Sequence, residues 1–325
     1  MSENLDHSNL KQVLKDFPKQ FAAGLQLAEN VKLSGCKEVL LLGMGGSALP
    51  ADLLNLYLAP ELEIKVNRDY ELQSAVDHET LVLACSYSGN TEETLAALEL
   101  CLQKKAQVVV LTAGGRFLEI ADKQKLAKVV LPSGLQPRCA TGYFFAAILQ
   151  ILENAGLVSG KVSALKGLEK NLQQFNFEEQ AEELALQIKD KVPIIYAADK
   201  YWSVARNLKI KFNEHAKTQS FWNVFPELNH NEMVGFTELI MPTCFLLLRD
   251  PADHPRIQKR MQIFSDLMKD KGIQVVTIEM QGADLLTKIF SSVLLGDWTA
   301  YYLALAYGID PTPVALVEDF KNMMK

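Results

Sequence analysis

The chain has 325 residues, which is long enough for two α/β domains that each bury a hydrophobic core. Its net charge of −6 gives no basic field of the kind that binds nucleic acids or anionic membranes, so a small anionic ligand would need a local site. No apolar run approaches the ~20 residues of a membrane span and the N-terminus lacks signal-peptide features, so we expect a soluble cytoplasmic protein.

Five cysteines are scattered along the chain, and they form no C-x-x-C pair. Because their number is odd and most of them lie in apolar runs, we expect reduced core residues. They are Cys36, Cys85, Cys101, Cys139 and Cys244.

In the first half of the chain, short apolar runs alternate with stretches of helical periodicity, which is typical of a parallel sheet with helices on both faces. Two helices are expected between residues 4 and 34, interrupted at Pro18. The strands expected after them are 37–42, 63–68, 81–85, 107–112 and 128–131, and the expected helices are 49–58, one that begins at Thr91, and 144–155.

The second half repeats this architecture. Gly156 to Gly160 is a plausible hinge, so we predict domains 1–158 and 159–325 with a boundary near residue 158. The strands expected in the second domain are 192–198, 239–248 and 273–278, and the helices are 201–217, 255–271 and 285–307. The predicted fold class is therefore α/β, with two doubly wound parallel-sheet domains flanked by helices.

The loop that follows the 81–85 strand carries the clearest chemical signal. Ser86, Ser88 and Thr91 provide three hydroxyl groups immediately before a helix. Amides at the start of a helix carry the positive end of its dipole, and together with hydroxyls they suit a phosphate. An alternative is that Asn90 and Glu93 form a capping box and that the loop only starts the helix.

A second glycine-rich turn, Gly43-Met-Gly-Gly-Ser-Ala48, follows the 37–42 strand. It lacks the third glycine of a dinucleotide-binding fingerprint at its proper place, which disfavours a nucleotide fold. Both turns follow buried strands and end in hydroxyls. Because the carboxyl ends of neighbouring parallel strands face one crevice, we expect the two turns to converge there.

Five motifs together resemble the bifunctional phosphoglucose/phosphomannose isomerases of the sugar isomerase (SIS) fold. In chain order they are Gly43-Met-Gly-Gly-Ser-Ala48, Ser86-Tyr-Ser-Gly-Asn-Thr91, Arg138 in Pro-Arg-x-x-x-Gly-Tyr, Asn229-His-Asn-Glu232 and Gly308-Ile-Asp-Pro-Thr-Pro-Val314. The serine loop alone marks only the SIS fold. The full set implies a homodimeric enzyme, without metal or other cofactor, that interconverts glucose 6-phosphate, fructose 6-phosphate and mannose 6-phosphate through a cis-enediol intermediate.

The resemblance implies that the substrate is held by the two glycine-containing turns. Ser86, Ser88 and Thr91 would anchor the phosphate, which fixes the position of the reacting carbons. Gly46 and Ser47 would face the sugar hydroxyls.

The resemblance also implies a catalytic set. Glu214, sixteen residues before His230, would be the base that moves the proton between C1 and C2. His230 would open the sugar ring and come from the neighbouring subunit, so that the active site is shared. Arg138 would stabilise the enediolate, and Lys321 would assist near the ring oxygen. His215 points about 100° away from Glu214 on the same helix and is not expected in the site.

Two of these residues have simpler interpretations. Glu214 could form a surface ion pair with Lys211 or Lys217, each three positions away. His230 could bind backbone carbonyls, or it could bind a metal together with Glu232. No His or Cys cluster offers a third ligand at the usual spacing, so we expect no metal site.

Three other functions remain open on the sequence. The chain could isomerise glucose 6-phosphate alone, since no motif reports acceptance of the C2 epimer. It could be a non-catalytic SIS-type sensor, which would need only the Ser86 to Thr91 anchor. Amino-sugar phosphate chemistry is less expected, because no glutaminase domain precedes the first strand.

Overall fold

The computed structural model describes residues 3–324. Its chain divides into two compact units. The N-terminal sheet unit comprises Lys15–Gln173, and the C-terminal sheet unit combines the chain up to Leu14 with the chain from Gln174 onward.

This division falls after Gln173, whereas the boundary was predicted near residue 158. The physical reason is the packing of two short helices, Lys161–Leu165 and Leu168–Leu172, against helices of the N-terminal sheet unit. Their buried apolar side chains are Val162, Leu165, Leu168 and Leu172. The stretch from Gly156 to Gly160, predicted as a hinge between domains, therefore connects two helices of the N-terminal sheet unit.

A five-stranded parallel sheet with the order β2-β1-β3-β4-β5 forms the centre of the N-terminal sheet unit. Its strands are β1 (Glu38–Leu42), β2 (Ile64–Asn67), β3 (Thr80–Cys85), β4 (Gln107–Thr112) and β5 (Ala127–Val130). The helices in this part of the chain are α1 (Leu10–Asp16), α2 (Lys19–Ala28), α3 (Gly45–Leu58), α4 (Glu92–Gln103), α5 (Gly115–Gln124), α6 (Thr141–Asn154), α7 (Lys161–Leu165) and α8 (Leu168–Leu172).

Strand β3 lies at the centre of this sheet, and every one of its residues is buried. Helices cover both faces of such a sheet, which is why its strands are continuous apolar runs without alternation. Strands β1 and β3 pair in parallel, with Leu42 opposite Ala84 near their carboxyl ends. This register brings the two turns predicted to bind the ligand to adjacent positions.

The C-terminal sheet unit has a four-stranded parallel sheet with the order β7-β6-β8-β9. Its strands are β6 (Val192–Ala198), β7 (Phe221–Phe225), β8 (Thr243–Arg249) and β9 (Gln274–Glu279). Its helices after residue 174 are α9 (Phe177–Ile188), α10 (Trp202–Glu214), α11 (Pro255–Asp270), α12 (Leu285–Ala306) and α13 (Ala315–Met323). The prediction of two parallel-sheet α/β domains is confirmed.

Two details of the second sheet differ from the prediction. Strand β7 was not predicted, because its first residues are only partly covered and give no continuous apolar signal. The predicted strand over 239–248 begins only at Thr243. The preceding residues are apolar in sequence but lie at the surface, with Ile240 89% exposed.

Contrary to the expectation that no apolar run approaches a membrane span, helix α12 is long and apolar enough to cross a membrane by length and composition alone. However, 89% of its apolar 18-residue window is buried inside the protein. A helix that is hydrophobic on every side is expected when it lies in the centre of a fold. We therefore interpret α12 as the core helix of the C-terminal sheet unit.

Candidate active site

The loop after β3 is closed by hydrogen bonds between its own groups. Ser86 is buried, its Oγ lies 2.9 Å from Thr91 Oγ1, and it accepts a hydrogen bond from the Gly89 amide at 3.1 Å. Ser88 is exposed at the tip, where its Oγ accepts a hydrogen bond from the Asn90 amide at 3.3 Å. The three predicted hydroxyls are therefore held in one short loop, with Ser88 directed outward.

Helix α4 begins at Glu92 without a side-chain cap. Its N-cap residue is Thr91, whose backbone is extended and whose side chain makes no capping hydrogen bond. The capping-box alternative is therefore wrong. Asn90 instead accepts a hydrogen bond from the Arg116 amide at 3.1 Å, which ties the loop to α5. The first amides of α4 have no capping side chain, as in an anion-binding helix N-terminus.

Helix α3 begins at Gly45, earlier than the predicted start at residue 49, so Gly46 and Ser47 lie in its first turn. Glycine is required here by a close approach of two backbones. A Cβ atom on Gly46 would lie 2.5 Å from the backbone nitrogen of Arg138. The start of α3 is therefore in direct contact with the segment that carries Arg138.

Tyr87 connects three segments at this edge of the sheet. Its amide donates a hydrogen bond to Ser47 Oγ at 3.0 Å, which joins α3 to the loop after β3. Its hydroxyl donates to the Pro132 carbonyl at 2.6 Å and accepts from the Leu135 amide at 2.9 Å. The predicted convergence of the two turns is confirmed. Tyr87 was not among the predicted site residues, although an aromatic residue between two loop serines is a signal that could have identified it.

Arg138 is 1% exposed and lies in the short 3₁₀ turn Pro137–Cys139. Its Nη1 donates a hydrogen bond to Gln136 Oε1 at 3.4 Å. A guanidinium remains charged at all ordinary pH values, and in a poorly solvated environment its charge acts more strongly than it would in water. Arg138 can therefore stabilise negative charge that develops close to it.

Glu214 is the last residue of α10 and is half-buried. The two lysines considered as its surface partners make the following contacts. Lys211 is fully buried and lies 3.0 Å from Asp297 Oδ1. Lys217 Nζ donates to the backbone carbonyl of Glu214 at 3.0 Å and to that of Pro311 at 2.9 Å. The end of α10 is thus fixed by its backbone, with the Glu214 carboxylate at the boundary of the core.

His230 is exposed at the end of the 3₁₀ turn Glu227–His230. The loop is anchored two residues later, because the Glu232 carboxylate accepts hydrogen bonds from the hydroxyl of Tyr196 and the amide of Asn223. Burial and the hydrogen bond to Glu232 raise the pKa of Tyr196 far above its ordinary value, so the tyrosine is the donor.

Among residues 3–324, no cluster of three or more His, Cys, Asp or Glu side chains could hold a metal ion.

Lys321 lies on α13, and none of the described residues of this helix is buried. Glu214, His230 and Lys321 therefore occupy three separate elements of the C-terminal sheet unit. In the N-terminal sheet unit, by contrast, the structure brings Gly46, Ser47, Ser86, Thr91 and Arg138 to one edge of the sheet.

Two regions of the chain match models of known families. Residues 32–116 match the SIS domain, and residues 177–324 match the bacterial phospho-glucose isomerase C-terminal SIS domain. Among solved structures, tagatose-6-phosphate ketose/aldose isomerase from Escherichia coli superimposes with a TM-score of 0.69 at 15% identity, covering 92% of this chain and 93% of that one. At this identity the likeness shows the SIS fold alone.

The relatives in sequence are more specific. The chain is 35% identical over 199 residues to the D-glucosamine-6-phosphate 4-epimerase of Sulfolobus acidocaldarius, covering 61% of this chain and 63% of that protein. It is 37% identical over 321 residues to the bifunctional phosphoglucose/phosphomannose isomerase of Caldicellulosiruptor bescii, covering 94% of this chain and 95% of that protein. The chain therefore belongs to the bifunctional phosphoglucose/phosphomannose isomerase family.

Proposed function

We propose that this protein is an aldose–ketose isomerase that interconverts fructose 6-phosphate with glucose 6-phosphate and mannose 6-phosphate through a cis-enediol intermediate. The observation that carries the proposal is the 37% identity to a bifunctional relative over nearly the whole of both chains. The closed hydroxyl loop at the uncapped start of α4 supports a phosphorylated substrate. The reaction needs no metal in this proposal, and its setting is the cytoplasm.

The phosphate anchor consists of Ser86, Ser88 and Thr91 with the first amides of α4. The exposed hydroxyl of Ser88 can donate to a phosphate oxygen, while Ser86 and Thr91 define the shape of the loop. Gly46 and Ser47 face the sugar hydroxyls from the adjacent turn. Holding the phosphate here fixes where C1 and C2 lie relative to the catalytic groups.

Replacing Ser88 with Ala is expected to raise the KM for fructose 6-phosphate about tenfold with a smaller change in kcat, because a hydrogen bond to a charged phosphate contributes roughly 1.5–3 kcal/mol. Steady-state kinetics on the purified variant would measure this. Ser163→Ala is the matched control, since Ser163 is an exposed serine whose hydroxyl donates to the Gly160 carbonyl, away from the proposed site. A fall in kcat at constant KM would contradict a role in phosphate binding.

The chemical steps are assigned to four residues. His230 passes protons between O1 and O5 to open the ring, and Glu214 moves the proton between C2 and C1. Arg138 stabilises the negative charge of the enediolate, and Lys321 assists near the ring oxygen. The buried position of Arg138 supports its role, because a fixed cation needs no reorganisation when charge develops.

The active form in this proposal is a homodimer in which His230 is donated to the active site of the neighbouring subunit. His230 is exposed in a segment that also exposes apolar side chains, with Val234 72% and Ile240 89% exposed. Along α13, Leu316 is 84% and Met323 is 86% exposed. Apolar side chains grouped in this way are typical of surfaces that a protein partner covers.

Ile240→Asp is expected to weaken the dimer by a factor on the order of 10² or more, because burial of an isoleucine side chain contributes roughly 1.5–3 kcal/mol and a two-fold interface contains it twice. Sedimentation velocity over a concentration series would measure the dimer, and isomerase activity should fall with dissociation. Leu186→Asp is the control, since Leu186 is 58% exposed on α9. An active wild-type monomer at high dilution would contradict the shared site.

The experiment that tests the proposed function is a coupled assay on fructose 6-phosphate that scores both products separately, with EDTA present throughout. Formation of both glucose 6-phosphate and mannose 6-phosphate is the expected result. Glucose 6-phosphate alone would select a single-specificity isomerase. Substrate binding without product would select a sensor. Because one relative is a D-glucosamine-6-phosphate 4-epimerase, glucosamine 6-phosphate should be included as an alternative substrate.

A further inference from the structure

Three ionisable side chains meet in the interior of the C-terminal sheet unit, next to Glu214 in sequence. Asp297 Oδ1 lies 3.0 Å from Lys211 Nζ and 3.0 Å from His215 Nε2. The side chains of Lys211 and His215 are 0% exposed and that of Asp297 is 1% exposed. The proposed mechanism uses none of the three.

This cluster joins the last turn of α10 to the centre of α12. Lys211 and His215 are four residues apart, so they lie on the same side of the last turn of α10. Glu214 lies between them in sequence. Asp297 is the acidic residue of an otherwise largely apolar helix. The two helices approach closely beside it, because a Cβ atom on Gly296 would lie 2.5 Å from Leu208 Cγ.

The Asp297 carboxylate lies between two basic side chains. Burial alone raises the pKa of Asp297, but the charge of Lys211 and the hydrogen bond with His215 outweigh it, so the pKa lies below its ordinary value. Buried ion pairs contribute little net stability compared with apolar side chains of similar size, because removing the charges from water is costly. Buried ion pairs are better known for specifying one geometry of the groups that they join. Stability alone therefore does not explain why this cluster is present.

We propose that Asp297, Lys211 and His215 form a positioning assembly that fixes the last turn of α10 and, through it, the direction of the Glu214 carboxylate. This inference rests on the proposed role of Glu214 as the base. A general base must lie within hydrogen-bonding distance of the proton that it removes. The assembly holds the helix end from the side of the core, and Lys217 Nζ donates hydrogen bonds to the carbonyls of Glu214 and His215.

The three residues act through Glu214 and do not touch the substrate. Their side chains are covered, whereas Glu214 is half-buried at the rim of the same turn. A displacement of about 1 Å at a reacting group can lower a rate about 100-fold. Loss of the assembly should therefore affect the proton-transfer step and leave phosphate binding, which depends on the N-terminal sheet unit, nearly unchanged.

The test is Asp297→Asn, assayed for kcat, KM and the fraction of deuterium carried from C2 to C1 of labelled glucose 6-phosphate. We expect kcat to fall about 10- to 100-fold with KM within about twofold, and more of the deuterium to be lost to solvent. Leu303→Ala is the control, since it removes a buried side chain from the same helix. It should lower the midpoint of thermal unfolding without changing kcat of the folded enzyme.

A second variant covers the case in which Asp297→Asn does not fold. The double substitution Lys211→Met with Asp297→Leu removes the opposed charges together, and such replacements are usually tolerated. We expect this variant to fold and still show the lower kcat. A folded variant of either kind with the wild-type kcat and deuterium transfer would overturn the proposal. Full activity in Glu214→Gln would instead refute the assigned base, and the positioning role would fall with it.

Discussion

Glu214→Gln is expected to lower kcat for isomerisation by about 10²- to 10⁴-fold, the range that general acid–base catalysis typically contributes. The amide keeps the size and the hydrogen-bonding reach of the carboxylate but cannot accept the proton from C2 or C1. Binding of fructose 6-phosphate should be nearly unchanged, because the phosphate anchor lies on the loop after β3. The steady-state rate and a calorimetric binding titration would measure the two effects separately.

The exchange of the C2 hydrogen with solvent gives a more direct measurement of the same step. Wild-type enzyme should release deuterium from C2 of labelled glucose 6-phosphate, and Glu214→Gln should not. Glu183→Gln is the matched control, because Glu183 is a glutamate on the exposed side of α9 in the same sheet unit. Residual activity within tenfold of wild type would remove Glu214 as the base.

The contacts of Lys211 and His215 show what a single sequence can and cannot reveal. Spacing along a helix suggested Lys211 as a surface partner of Glu214. In the structure Lys211 is buried and pairs with Asp297, far away in the chain. Periodicity reports which residues share a helix face, but it does not report which distant residue packs against that face. The helical angle between His215 and Glu214 excludes His215 from the site itself, but it does not report that His215 Nε2 lies 3.0 Å from Asp297 Oδ1.

The central strands were predictable because they are buried on both faces. Strands such as β4 (Gln107–Thr112) and β6 (Val192–Ala198) coincide with the expected apolar runs. Where tertiary packing outweighs local pattern, the prediction failed. Helix α3 starts at Gly45, earlier than expected, and Gly46 in its first turn packs directly against the backbone at Arg138. Strand β7 lacks the apolar pattern because it lies at the edge of its sheet.

The hydroxyl groups of the loop after β3 identify it as a candidate ligand site from the sequence. Within this loop, Gly89 is held in a conformation that leaves no room for a side chain. Gly89 has φ of +68°, in the left-handed region, and a Cβ atom there would lie 1.8 Å from the carbonyl oxygen of Gly114. Its amide also donates the hydrogen bond to Ser86 Oγ that closes the loop. A side chain at this position would therefore force the loop away from the neighbouring turn.

Gly89→Ala is expected to raise the KM for fructose 6-phosphate about 10- to 100-fold, which corresponds to the loss of one charge-assisted hydrogen bond at roughly 1.5–3 kcal/mol. Gly35→Ala is the matched control, because Gly35 has φ of +74° but no atom within 4 Å of the added Cβ. Both variants carry the cost of a left-handed alanine, about 1–2 kcal/mol, in thermal unfolding. Gly89→Ala additionally places the new Cβ atom against the Gly114 carbonyl, so this variant alone of the two should lose substrate affinity. Equal KM values in the two variants would show that the shape of this loop does not determine phosphate binding.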